Sequence, residues 1–182
     1  MRPQPNDYPP RYQRYLDAVP ETDIFAAFDA QQLVTKSLLS QLSEQQSLHR
    51  YQADKWSIRE VLGHIIDVER IFSLRVIRFS RGDSKPRQDF DFDKTAYVRA
   101  AGYHQRELAS ISQEFYALRD ANMCAFKHLS HEQLQRTGEA NHDHLSVLAL
   151  LFVMLGHERH HVQMIRTHYS DARQSDRHHS QR

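Results

Sequence analysis

Apolar side chains recur every three or four residues through most of this chain, the spacing of one helix face. From about Asp23 to Leu42 the apolar positions are Ile24, Phe25, Phe28, Leu33, Leu38 and Leu39. A second helix is expected from Ser57, where Ser57-x-x-Glu60 forms a capping box, to about Ser80. Its stripe is Ile58, Val61, Leu62, Ile65, Val68, Phe72, Val76 and Phe79. A polar loop, RGDSKPRQDFDF, follows. A third helix is expected from near Asp93 to about Leu129, bending at Gly102, with Leu108, Ile111, Phe115, Leu118 and Met123 inward. A fourth runs from about Ser146 to Tyr169. No stretch alternates cleanly between turn signals as a strand would. The pattern predicts an all-α four-helix bundle.

Breakers set the domain limits. Five of the 6 prolines precede residue 21, and the chain has only 5 glycines. Residues 1–20 read as an extended N-terminal arm, 21–170 as the bundle and 171–182 as a polar tail. At 182 residues the chain suits one core. No apolar run approaches the roughly 20 residues of a membrane span, and the first residues lack the apolar stretch of a signal peptide. A cytoplasmic protein is the expectation. With 24 Lys+Arg against 23 Asp+Glu the net charge is +1, which gives no strong nucleic-acid signal. The single cysteine, Cys124, excludes an internal disulfide framework and any multi-cysteine metal site. The 13 histidines stand out. A metal in this chain has to be held by histidine and carboxylate.

The densest histidine pattern is Gly156-His157-Glu158-Arg159-His160-His161 in the fourth helix. His157 and His161 are four apart, so they share one face and can share an ion. At 100° per residue, Leu150, His157, His161 and Met164 fall within about 60°, on the core stripe. Imidazoles there are costly unless they are hydrogen-bonded to core neighbours or bound to metal. His64, on the face of Val61 and Val68 in the second helix, is available as a third ligand. Gly63-His64 echoes Gly156-His157, and each glycine gives room for close approach of the two helices or serves packing alone. Three histidines leave a coordination position open, the layout of a catalytic zinc site. His157-Glu158-x-x-His161 also matches the H-E-x-x-H protease helix literally. A protease reading fails for want of a suitably placed third ligand downstream and of a strand to hold a peptide.

Three segments together resemble the DinB/YfiT-like superfamily: KWSIREVLGHIIDVER (Lys55–Arg70), the Arg-Gly-Asp loop (Arg81–Asp83) and GHERHH (Gly156–His161). The likeness covers about residues 20–170. It implies an up-down-down-up four-helix bundle with a histidine triad holding nickel or zinc. Carried over by motif, the ligands are His64, His157 and His161. Relatives include thiol-dependent S-transferases and metal-dependent hydrolases, so the resemblance also implies a small-molecule substrate, a low-molecular-weight thiol as a second cofactor in the transferase case, and a homodimer. The competing reading is a non-catalytic metal-binding bundle of the stress response.

Acid–base candidates flank the ligands. Glu158 and His160 sit about 80° to either side of the histidine stripe, where either can carry protons or orient a ligand. Glu158 has an interhelical ion pair as its alternative, and His160 a solvated position. Glu69 is expected to pair with Arg119 or another basic residue of the third helix. Arg75, Arg78 and Arg81 form a basic run that is a solvated face or an anion attractor. Tyr97 and Tyr103 rim a pocket or pack. His142 and His144 make a second metal pair or a capping loop before the fourth helix. Cys124 is expected to be a small core residue.

Overall fold

The structure is a computed structural model that describes residues 1–85, 93–140 and 142–169. The expected polar tail 171–182 and part of the loop after the second helix lie outside the described residues. The chain begins with two 3-10 turns (Pro5–Asp7, Pro10–Tyr12), followed by α1 (Gln13–Asp17) and α2 (Ile24–Ser40). Then come α3 (Glu44–Ser47), α4 (Ile58–Ser80), α5 (Lys94–Ala101), a 3-10 turn (Tyr103–Gln105), α6 (Leu108–Phe126) and α7 (His131–Gln135). Strands β1 (Thr137–Ala140) and β2 (Asp143–Ser146) lead into α8 (Val147–His168). The long helices α2, α4, α6 and α8 make the bundle, with α4 packed against both α8 and α6.

Caps place the helices that carry the histidines. Ser57 Oγ accepts from the Glu60 N–H at 3.3 Å, and the Glu60 carboxylate accepts from the Ser57 N–H at 2.7 Å, so α4 starts where the capping box predicts. Ser146 Oγ accepts from the Ala149 N–H at 3.0 Å and starts α8. The buried apolar side chains fall into two clusters. One joins Val68–Phe79 of α4 to Val147–Leu155 of α8, and the other joins Ile58–Ile66 to Val162, Ile165 and Tyr169. The histidines lie at the junction between them.

Four expectations are corrected. The N-terminal arm is not extended. Its α1 docks on α8, burying Leu16 and Val19 in the core, and its first 3-10 turn packs against β2. The third helix is broken rather than bent, because Gly102 ends α5 with φ +64° and a 3-10 turn intervenes before α6. A small antiparallel hairpin is present, pairing Thr137 with Ser146 and Ala140 with Asp143. Its buried Asp143 accepts from Tyr12 Oη at 3.2 Å and pairs with Arg11, tying the N-terminal segment to the bundle. Leu33 is 70% exposed, since nine residues beyond Ile24 put it about 180° from the buried stripe. Among the described residues, no helix is long and apolar enough to cross a membrane.

Candidate metal centre

His64 of α4 and His157 and His161 of α8 point their rings at one another. Their Nε2 atoms converge: His64 to His157 is 3.1 Å, and His161 to His157 is 3.1 Å. Two ligand nitrogens about 2.0–2.1 Å from a tetrahedral ion lie roughly 3.3 Å apart, so one small divalent ion fits between them. The chemistry of the set agrees with this fit. Three neutral imidazoles cannot satisfy three converging nitrogens with one another, because each lone pair needs a proton or a cation. The buried Nδ1 atoms of His64 and His161 have no hydrogen-bond partner among the described residues. Among those residues, no further His, Cys, Asp or Glu joins the cluster.

Burial keeps the rings neutral, which is the ligand form. It lowers the His64 pKa to about 4, with Lys94 adding to the effect. His161 falls to about 3, chiefly by burial, with His64, His160, Lys94 and Arg14 contributing the rest. His157 is held well below the ordinary value for the same first cause. Rings pack round the triad: Trp56 lies 4.9 Å from His64, and Tyr15 lies 5.7 Å from His157, centroid to centroid. The triad forms part of the wall of a cavity of about 480 Å³. Val68, Phe72 and Val153 give it apolar surface, while Arg11, Arg14 and Lys94 give it positive charge.

The two glycines before the histidines admit other partners than the facing helix. A Cβ on Gly63 would lie 2.1 Å from the Tyr103 ring, which crosses α4 there and donates from Oη to Asp67 at 2.8 Å. A Cβ on Gly156 would lie 2.0 Å from the backbone oxygen of Tyr15. Gly156 therefore admits the N-terminal segment to α8, and that segment brings Arg14 and Tyr15 to the cavity.

His160 lines the cavity and is exposed, 6.1 Å from the Tyr15 ring. Burial, then Arg14 and Lys94, lower its pKa. Glu158 does not line the cavity, and its expected role as proton carrier there is corrected. It is sealed in the core, accepting from Thr35 Oγ1 at 2.5 Å and from Arg119 Nη2 at 2.7 Å. Arg119 also binds Glu69 through Nε at 2.9 Å and Nη2 at 2.7 Å, the pairing expected for Glu69. Asn122 completes the network by donating to Glu69 at 3.0 Å. A 100° step from His157 turns Glu158 toward α2 and α6, away from the triad.

The remaining candidates lie elsewhere. Arg75 is buried against the Phe72 ring, Arg78 pairs with Asp83, and Arg81 is exposed. Tyr97 is exposed, and Tyr103 packs on Gly63. His142 and His144 belong to the hairpin and are exposed, and among the described residues neither joins the triad. Cys124 is exposed on α6, not in the core. Sequence reasoning missed Arg14, Tyr15 and Lys94. The signal for the first two was present in Tyr12, Tyr15, Leu16 and Val19, a helical spacing obscured by the prolines before it.

The family model of the DinB superfamily matches residues 27–165. No curated protein matches the sequence. A solved structure of YfiT from Bacillus subtilis, described as a probable metal-dependent hydrolase with an unusual four-helix bundle topology, is similar in fold. The likeness has a TM-score of 0.66 at 13% identity and covers 96% of this chain and 92% of that one. The expected up-down-down-up bundle is thus the fold of this chain. The family match includes all three histidines, and the chain belongs to the DinB superfamily.

Proposed function

We propose that this protein is a metal-dependent enzyme acting on a small molecule, with His64, His157 and His161 holding one nickel or zinc ion. The observation that carries this reading is the convergence of three Nε2 atoms on the wall of an open cavity, with no fourth protein ligand among the described residues. An ion held by these three imidazoles would supply Lewis acidity, the chemistry that turns water or a thiol into a nucleophile near neutral pH. The protein's own groups do the rest. Trp56 and Tyr15 pack on the ligand rings and fix their planes. Val68, Phe72 and Val153 limit water around the reacting centre. His160 lines the same cavity, and burial with Arg14 and Lys94 lowers its pKa, which favours the neutral ring that accepts a proton at a ring nitrogen. An attacking water gives hydrolysis, and an attacking low-molecular-weight thiol gives S-transfer.

The test is turnover by protein loaded with one equivalent of zinc or nickel, assayed on activated esters, amides and alkyl electrophiles with and without thiol. Turnover that requires the metal and disappears in His157→Ala supports the reading, and its thiol dependence assigns the reaction. Equal turnover in metal-free protein would overturn it.

A further inference from the structure

The three cations beside the triad come from separate elements: Arg11 from the second 3-10 turn, Arg14 from α1 and Lys94 from the start of α5. Among the described residues, no Asp or Glu lines this cavity. Arg11 is neutralised by Asp143. Arg14 and Lys94 have no ion pair among the described residues. The guanidinium of Arg14 lies 4.6 Å from the Tyr15 ring centroid and donates to Tyr15 Oη at 2.7 Å. Tyr15 in turn packs edge-on against His157 and His160. Stacking on a ring that touches the triad fixes the guanidinium near it without neutralising its charge. A divalent ion on three neutral imidazoles adds further positive charge to the same space.

We propose that Arg14 and Lys94 form an anion subsite, so that the substrate carries a carboxylate or phosphate group a short distance from its reacting atom. The proposal rests on the metal-site reading above for the position of the reacting atom. A guanidinium presents two parallel N–H donors to an oxyanion, and an ammonium adds a point charge. The space for the rest of such a ligand is visible. Arg14 and His160 also border a second cavity of about 690 Å³, lined in part by Val34, Val162 and Met164. The anionic group bound between the two cavities leaves the reacting end toward the triad and an apolar remainder toward α2.

The experiment uses full-length protein loaded with cobalt, whose visible spectrum reports thiolate binding. The probes are 3-mercaptopropionate and its neutral amide, 3-mercaptopropionamide. The carboxylate probe is expected to bind at least about tenfold more tightly. In Arg14→Gln/Lys94→Gln that preference should fall to about twofold, with the amide's affinity unchanged. A preference that survives in the double variant is chelation by the metal alone and overturns the proposal, as does no preference in the parent. Failure of the metal reading shows separately, as cobalt bands unchanged by His64→Ala/His157→Ala/His161→Ala. Metal-free protein is therefore also titrated with inorganic phosphate by calorimetry. Binding that the double variant loses supports the subsite, and absent or equal binding overturns it.

Discussion

Replacing Gly156 with alanine tests how the N-terminal segment reaches the site. Glycine to alanine inside a helix ordinarily stabilises by about 1 kcal/mol. Here the added Cβ would lie 2.0 Å from the Tyr15 oxygen, 2.6 Å from its carbonyl carbon and 2.8 Å from its Cα. Those are backbone atoms, so no rotamer change relieves the clash, and the segment must lift by roughly 1–1.5 Å. Leu16 at 2% exposure and Val19 at 0% move with it. Each fully buried side chain of this size contributes about 1.5–3 kcal/mol, and losing about half of that from both costs about 1.5–3 kcal/mol. Set against the propensity gain, the net expectation is a loss of about 0.5–2 kcal/mol. Urea unfolding of metal-free protein measures it, and amide hydrogen exchange over residues 13–19 shows whether the segment has loosened. A variant at least as stable as the parent, with those amides equally protected, would refute the reasoning.

Three further outcomes follow from the same structure. Arg119→Met leaves the buried Glu69 and Glu158 without their shared cation and should cost about 3–5 kcal/mol in urea unfolding. Adding Glu69→Leu and Glu158→Leu should recover much of that loss, and an unrecovered loss would count against the buried-charge account. Burial opposes ionisation of Glu60, but bonds from Ser57 and Arg50 outweigh it and hold its pKa below the usual carboxylate value. Its contribution to stability is therefore present above about pH 4.5 and lost as pH falls through the folded value. Glu60→Gln should cost about 1 kcal/mol at pH 7 and less at pH 3.5, and a cost independent of pH would contradict this. Cys124→Ser should leave bound metal unchanged and stability within about 0.5 kcal/mol, because the thiol is exposed and outside the histidine cluster.

The four long helices and the triad were legible because each rests on a local signal. Ser57 and Glu60 announce the start of α4 in four residues, and a four-residue step within α8 puts His157 and His161 on one face. The same angular arithmetic explains two errors. Leu33 and Cys124 lie about 180° from the buried stripes of α2 and α6, so residue type misled where position was decisive. What stayed hidden depends on contacts distant in sequence. The docking of α1 needs Gly156, which is more than 130 residues away along the chain, and the break at Gly102 needs the Tyr103 ring to find Gly63. The fate of Glu158 was set by Arg119 and Thr35 on two other helices. Periodicity along one helix placed Glu158 off the stripe without revealing which partner waited there.

The central claim is that three histidines hold one ion and leave part of its coordination to small ligands. X-ray absorption at the zinc edge, on protein loaded with one equivalent of zinc, tests it most directly. The account predicts three imidazole nitrogens at about 2.0–2.1 Å, with a light non-imidazole neighbour that added 3-mercaptopropionamide replaces by sulfur at about 2.3 Å. A coordination shell completed by a fourth protein ligand and unchanged by the thiol would contradict it.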